Sequence, residues 1–536
     1  MTAADGRAGG RGGAGALALV VAAALALQWA LFGFGFYRVA ADESARSLIA
    51  QHLSWGNALE PYIWPPFYKL FVGVALKVWD DVFLVPRILS SLAGLLSILA
   101  LARLAHLLFG DRRATLLTAV LAVAFPHRLV FSVAPMSDIY GYLFLLAAAG
   151  CALAWLRRGS TAELMLACAC LFGAETVRFE AGFFALALFL LVLHRWLLRR
   201  ELGFLPVAAA AAILFGFPLF WIADSLLWYG SLDNLAITGK QYTANFGTSR
   251  VQAMYLSPLG RNLALDIVWN PLMLAGLAML ASTVQRDTAA RAWALAFGAP
   301  LLLITAAMVA TLSLPMAAPW RTTGTWALLL LPFEAAAILR AVGWFADRRA
   351  RGLVAAALLA AALLPPAVRS GVYVREGMTD PQTHGPRAER EAGLDAVRRL
   401  DRAGGGTVLV DSFRNLDFLD VLAGSGEPDR FVLSHGSDPL AVANDLPLGG
   451  VLPPDRFDLA NGAVRAATAP EDVRVLLVRT PRFVAALDAA PGRWQRVGEF
   501  GAWVEYRRAG DDASAAGSGP RRPAPSGSAE AGPARY

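Results

Sequence analysis

The chain has 536 residues, of which 57% are hydrophobic and 17% charged, and its mean hydropathy is +0.50. Charge this far below the roughly 25% of soluble domains excludes an ordinary soluble enzyme and marks a membrane composition. A net charge of +7 with a pI near 9.5 would suit nucleic acid. The Arg and Lys residues, however, fall mainly in short loops between apolar segments, where they orient helices, so no nucleic-acid partner is expected.

The first apolar run, about Gly15 to Tyr37, follows Arg7 and Arg11 and superficially resembles a signal peptide. It is long enough to cross the roughly 30 Å hydrocarbon core, and its aromatic end, Trp29 to Tyr37, offers no small-residue cleavage site. A retained first span is the expectation. Further spans are expected near 84–108, 114–131, 139–156, 162–176, 179–197, 204–228, 266–284, 291–314, 322–340 and 350–368, about eleven in all. Pro65 to Trp79 is apolar but short, carries Lys69 and Lys77, and is bracketed by Pro65-Pro66 and Asp80-Asp81. It reads as a helix lying on the membrane surface.

That reading can be checked against charge. It puts Arg112-Arg113, Arg157-Arg158, Arg195 with Arg199-Arg200, Arg286 with Arg291, and Arg348-Arg349 with Arg351 on the same side as the N-terminus. Counting 65–79 as a span would break this agreement, so the positive-inside rule favours the surface helix. Loops 38–83, 132–138 and 229–265 then face outward. Cys151, Cys168 and Cys170 lie inside apolar runs without zinc-ligand or disulfide spacing, and read as small core residues.

The membrane part is expected to span 1–368, followed at 369–509 by a small α/β domain outside the membrane. Strand-like runs at Thr407-Val410, Arg430-Leu433, Val473-Arg479 and Trp503-Arg507 alternate with helical stretches such as Ala388-Arg402. The tail 510–536, rich in Gly, Ala, Pro and Ser, is expected to be disordered. No internal repeat of solenoid or transporter length is visible.

Asp42 and Glu43 are adjacent carboxylates where the first span leaves the bilayer. An acidic pair there can be a solvated helix end or catalytic machinery, since perturbed carboxylates gather at active sites. Trp64-Pro65-Pro66-Phe67-Tyr68-Lys69-Leu70 follows, and then Val85-Pro86-Arg87-Ile88-Leu89-Ser90-Ser91-Leu92-Ala93-Gly94 opens the second span. Leu108-Phe109-Gly110-Asp111-Arg112-Arg113 lies inside, Ala134-Pro135-Met136-Ser137-Asp138 outside, and Thr176-Val177-Arg178-Phe179-Glu180 breaks a later apolar stretch. In this order and sidedness, over roughly residues 38 to 185, the sequence resembles the GT-C membrane glycosyltransferases, especially their protein O-mannosyltransferase and aminoarabinose transferase branches.

The resemblance implies a polytopic α-helical fold and transfer of a sugar from a polyprenyl-phosphate donor, with inversion, to an extracytoplasmic acceptor that is a glycan, lipid or protein. It makes Asp42 the base and leaves Glu43 to orient Asp42 or bind the acceptor. Arg87 matches the phosphate-binding Arg; the bare residue reads equally as an Arg snorkelling to the interface, and Lys69 has the same two readings. Asp138 is a substrate contact or a helix cap. Arg178 and Glu180 contact substrate or form structural pairs; two apart, they do not face each other on a helix, whereas Glu175 and Arg178 could. The long outer loop carries Lys240 and Tyr242, assigned to substrate docking. His127-Arg128 and Trp320-Arg321 read as interfacial anchors or headgroup contacts.

Asp42, Glu43 and Asp138 could offer hard oxygen ligands to a divalent cation. No metal site is assigned, because the branches that match work without a required ion. The Trp-Trp-Asp motif of the oligosaccharyltransferase branch, which uses one, does not occur. The expected location is a bacterial inner membrane with the site outside. A lipid-linked glycan flippase or transporter is the competing class, and a polymerase or ligase with a diphosphate-lipid donor is the competing chemistry.

Overall fold

The computed structural model describes residues 5–36, 42–56, 58–59, 64–230, 266–311, 319–379, 387–403, 406–412, 422, 425, 427, 430–433, 450–451, 473–489 and 494–509. Lys240 and Tyr242 lie outside the described residues, as do the tail 510–536 and the side chains of Asp42, Trp320 and Arg321.

Helices dominate. In chain order they are α1 (Asp5–Gly33), α2 (Asp42–Gln51), α3 (Phe67–Val78), α4 (Leu84–Phe109), α5 (Arg112–Ala124), α6 (Pro126–Val133), α7 (Asp138–Arg158) and α8 (Thr161–Val177). They continue as α9 (Ala181–Leu197), α10 (Phe204–Tyr229), α11 (Leu272–Arg286), α12 (Thr288–Thr311), α13 (Pro319–Gly343), α14 (Arg348–Thr379) and α15 (Arg387–Ala403). The expected spans fall on these helices. Among the described residues, α1, α4, α7, α10, α13 and α14 contain stretches long and apolar enough to cross a membrane, and α5 with α6 makes a seventh if a bent pair counts as one span. Parts or all of α9, α11 and α12 are apolar but shorter. The protein is a membrane protein of mostly helical construction.

The bend between α5 and α6 is 59°. Its cause is local: Pro126 at the start of α6 has no N–H, so the helix cannot continue its bonding ladder through it. Arg128, with no exposure to solvent, compensates. Its Nε donates to the Ala122 carbonyl (2.6 Å), one terminal nitrogen to Val123 (3.0 Å), and the other to the Gly94 carbonyl of α4 (3.2 Å). In a continuous helix Ala122 and Val123 would bond to residues 126 and 127. His127 is also buried, which corrects the expectation that His127-Arg128 is an interfacial anchor. A Cβ on Gly94 would stand 1.9 Å from Ser132 Oγ, so only glycine allows α4 and α6 this close.

One end of the bundle gathers the basic turns. Arg157, at the end of α7, bonds to Asp287 between α11 and α12 (2.6 Å) and to the Leu108 carbonyl near the end of α4 (3.2 Å). Arg195 of α9 reaches the Leu156 carbonyl (3.4 Å). Arg112, Arg113, Arg158, Arg199, Arg200, Arg286 and Arg348 are exposed. The clusters described next lie at the opposite helix ends.

The C-terminal residues form a six-stranded sheet from β1 (Thr407–Val410), β2 (Phe431–Leu433), β3 (Gly450–Val451), β4 (Val473–Val478), β5 (Trp494–Phe500) and β6 (Trp503–Arg508), with α16 (Pro481–Ala489) between β4 and β5. The order is β3-β2-β1-β4-β6-β5. The first four strands are parallel, and β4-β6-β5 are antiparallel. β3 and β5 lie outside the strand-like runs expected from the sequence: β3 is only two residues long, and β5 alternates exposed polar residues with few apolar ones. Asp411, at the end of β1, accepts the backbone N–H groups of Arg479 (3.2 Å) and Thr480 (2.7 Å), where α16 begins.

Candidate functional site

The first cluster is built by α2, α3, the start of α4 and the start of α7. Glu43 and Arg46, one turn apart on α2, are both buried, as are Lys69 of α3 and Arg87 of α4. The Arg46 guanidinium lies 4.3 Å over the Trp64 ring, the stacked arrangement in which an arginine loses little of its charge attraction to a further partner. At the centre is Tyr68, whose hydroxyl is 3.4 Å from Ser47 Oγ. Burial pushes the Tyr68 phenol up to about 12, although the Ser47 hydrogen bond and the charges of Arg46 and Arg87 pull the other way and Glu43 adds to the rise. The phenol therefore stays a neutral O–H, and Glu43, Arg46 and Arg87 are all near enough to act on it. Tyr140 stands behind it, ring centroids 6.2 Å apart, with its hydroxyl 3.3 Å from Ser90 Oγ.

Arg87 is the part of this cluster most clearly placed by sequence. It opens α4 just after Pro86 and donates to the Phe83 carbonyl at 2.5 Å. Its guanidinium carbon is 4.2 Å from the Phe83 ring centre and 5.6 Å from that of Phe32. It is 3% exposed, so it does not snorkel along a solvated surface in this arrangement.

The second cluster centres on Arg178, in the turn between α8 and α9. It donates to Asp138 Oδ1 through one terminal nitrogen, and to Glu180 at 2.7 Å through the other and 3.4 Å through Nε. This corrects the expectation that Arg178 and Glu180, two apart, do not face each other. α8 ends at Val177 and α9 starts at Ala181, so Arg178 and Glu180 occupy a turn where residues two apart can face each other. Glu175 remains buried on α8. Asp138 is not a cap in the sense expected either: Ser137 occupies the cap position, and Asp138 begins α7 with its carboxylate wholly buried against Arg178. Beside this trio lies a small pocket of about 50 Å³, lined among others by Tyr142, Leu145, Phe184, Leu301 and Thr325.

A third group has no counterpart among the residues singled out by sequence. Arg369 of α14 pairs with Asp266 and donates to the Tyr373 hydroxyl at 3.0 and 2.8 Å. His127 lies between the second and third groups: its ring is 6.2 Å from that of Tyr373, and it feels the charges of Asp266, Arg369 and Asp138. Arg369 was legible only as the point where composition changes, and Asp266 only as a loop end. Arg46 had a signal, its position one turn after Glu43 on the same helix face. Among the described residues no group of three or more His, Cys, Asp or Glu side chains could hold a metal ion.

The profile of the family described as dolichyl-phosphate-mannose-protein mannosyltransferase matches residues 64–221, which hold most of the first two clusters. Among solved structures, the Archaeoglobus fulgidus oligosaccharyltransferase in complex with Zn and sulfate is similar at a TM-score of 0.53 and 13% identity, over 88% of this chain and 70% of that one. ArnT from Cupriavidus metallidurans in the apo state gives a TM-score of 0.53 at 16% identity, over 95% of this chain and 99% of that one. Archaeoglobus fulgidus AglB in complex with an inhibitory peptide and a dolichol-phosphate gives 0.50 at 13% identity, over 86% and 69%. Likeness at these identities is one of fold. No curated protein sequence matches the chain significantly.

Proposed function

We propose, for a chain that shares its fold with GT-C membrane glycosyltransferases and matches the mannosyltransferase profile over residues 64–221, that it moves one sugar from a polyprenyl-phosphate donor to an extracytoplasmic acceptor. The observation that carries this reading is the first cluster: the buried cations Arg46 and Arg87 and the carboxylate Glu43 act together on Tyr68. Cations suit a lipid phosphate, whose charge grows as it leaves. A neighbouring carboxylate suits the acceptor's proton.

In the step envisaged, the acceptor oxygen or nitrogen attacks the anomeric carbon from the face opposite the phosphate. The new bond forms as the carbon–phosphate-oxygen bond breaks, which inverts the centre. The acceptor's proton passes to Asp42 during attack, because a carboxylate of ordinary basicity cannot deprotonate a free alcohol. The electron pair stays on the phosphate oxygen, held by Arg87 with Lys69 and Arg46. Glu43 orients Asp42 or the acceptor, and Tyr68 donates a hydrogen bond. A divalent cation is not required by this step. Lys240 and Tyr242 of the outer loop are assigned to substrate docking.

The basic turns at the opposite helix ends support an active site facing away from the cytoplasm of a bacterial inner membrane, with residues 369–509 on the same outer side. A transporter would use paired, symmetry-related broken helices. One bent pair, α5 with α6, occurs among the described residues.

The test is incubation of the purified protein with a panel of polyprenyl-phosphate sugars, scoring free lipid phosphate. Release dependent on one sugar is expected. No release from any monophosphate donor, together with turnover of a diphosphate-linked one, would replace the donor assignment.

A further inference from the structure

We infer that Cys151 and Cys170 form a redox-active dithiol within the helix bundle, which a lipid-soluble quinone oxidises to a disulfide, and that Arg103 supports Cys151 as the reactive thiolate. The inference is independent of the transferase reading above.

Read from sequence, all three cysteines are small core residues, yet two of them meet across the hairpin of α7 and α8. Gly159 and Ser160 join these helices, so they run antiparallel. The Cys151 and Cys170 thiols are hydrogen-bonded to each other. Close approach of the two backbones continues along the same seam: a Cβ on Gly173, one turn past Cys170, would stand 3.0 Å from the Phe144 ring of α7. A disulfide needs such proximity, its Cα atoms lying roughly 4.4 to 6.8 Å apart. Cys168, two residues before Cys170, projects from a different side of α8 and is wholly buried.

Arg103 of α4 distinguishes the two sulfurs. One of its terminal nitrogens donates to Cys151 Sγ at 3.1 Å, and the other to both carboxylate oxygens of Glu163, at 3.0 and 2.9 Å. A guanidinium donating to sulfur stabilises the thiolate, the form that gives up electrons and attacks. Glu163, near the start of α8, holds the guanidinium in that position. A thiol that merely fills space in a core has no use for a cation on its sulfur.

Depth selects the oxidant. Counted from the end of α7 at Arg158 and the start of α8 at Thr161, the pair lies roughly 10 to 14 Å from the helix ends that carry the basic turns. Leu166 and Phe172 are exposed on α8, and Cys170, one turn beyond Leu166, is partly exposed, whereas Cys151 is buried. An oxidant reaching Cys170 along this apolar face travels through hydrocarbon, which admits a quinone with an alkyl tail and excludes a charged peptide disulfide. In the reaction both S–H bonds break and one S–S bond forms. The two electrons and two protons released make two O–H bonds on the quinone, which leaves as its hydroquinone.

The test uses full-length protein in phosphatidylcholine nanodiscs, whose 3 cysteines are counted by N-ethylmaleimide alkylation after unfolding in SDS. Decylubiquinone, with a fully substituted ring, should leave only Cys168 alkylated and yield a cross-linked Cys151–Cys170 peptide in the non-reduced digest. Oxidised glutathione should leave all the cysteines alkylated. Arg103→Gln should slow the oxidation by about tenfold, the order expected when a thiolate loses a cationic neighbour, and Arg103→Lys should slow it less. Cys151→Ser and Cys170→Ser should each leave the remaining two cysteines free. Near-UV circular dichroism checks the fold of every variant.

Full alkylation after the quinone, consumption of Cys168 in place of either partner, or equal oxidation by glutathione would each overturn the inference. So would a folded Arg103→Gln variant that is oxidised at the wild-type rate. The wild-type count alone can refute the pairing, so the inference stays testable even where a variant fails to fold.

Discussion

Replacing Arg128 by Met keeps an unbranched chain of similar length and removes every donor. Three carbonyls, those of Ala122, Val123 and Gly94, then lose a partner in a wholly buried setting. Ala122 keeps the Phe125 N–H and Gly94 keeps the Ser97 hydroxyl, so only the Val123 carbonyl is left unmet at about 1 to 3 kcal/mol, and with about 0.5 to 1.5 kcal/mol for each of the other two the gross loss is roughly 2 to 6 kcal/mol. Against this stands relief from burying a guanidinium held by backbone carbonyls and the Ser132 hydroxyl, worth several kcal/mol. The net expectation is destabilisation by about 1 kcal/mol, a factor of roughly 5 in the folding equilibrium. Because Pro126 creates the shortfall, Pro126→Ala in the Met variant should return an N–H to Ala122 and recover about 1 kcal/mol. The assay is unfolding in mixed micelles of increasing SDS fraction, comparing the wild type, Arg128→Met, Arg128→Lys and the double variant. Lys should recover only part, since one ammonium cannot span three acceptors set by a planar fork. A Met variant as stable as wild type, or a double variant no better than the single, would refute the account of the bend.

Asp42→Asn should lower turnover by roughly 10² or more with little change in folding, and Glu43→Gln should also be costly; near-normal turnover of the Asn variant would remove Asp42 as the base. Arg87→Ala should lose about 2 to 4 kcal/mol of transition-state stabilisation per folded molecule, and Arg87→Lys should retain part of the activity. Because Arg87 also packs between Phe32 and Phe83, folded protein must be quantified separately, and equal specific activity in wild type and Arg87→Ala would exclude the phosphate contact. For topology, an impermeant thiol reagent on intact cells should label cysteines placed at the exposed positions Ser54 and Asp395 but not at Arg112; labelling at Arg112 reverses the orientation.

The positions of the long helices were legible because hydropathy and length set them. The strands at 407–410 and 473–478 were legible because buried parallel strands read as continuous aliphatic runs. Glu43, Lys69 and Arg87 could be singled out because charge beside an apolar segment is costly and therefore conspicuous. What escaped depends on distance in sequence. Asp266 meets Arg369 across 103 residues, and Asp138 meets Arg178 across 40. No local period encodes such meetings. The Arg178–Glu180 pair escaped for a different reason: helix geometry was applied to three residues that form a turn. Arg128 escaped because an arginine beside His127 at a span end suggests a membrane surface, whereas Pro126, two residues earlier, was the sign that carbonyls nearby would need a donor.

The carboxylate of Asp411 has a consequence for how the C-terminal sheet can be used. Parallel sheets of this order commonly receive ligands outside the carboxyl ends of neighbouring strands whose connections diverge, here β1 and β4, often as an anion on the following helix's first N–H groups. In this chain the N–H groups of Arg479 and Thr480, in the turn just before α16, already hold Asp411. The carboxylate thus ties the end of β1 to the turn that leads from β4 into α16, a brace supplied by the chain itself. The spacing of β1 and β4 at their carboxyl ends is therefore set from within the chain and needs no bound solute to hold it.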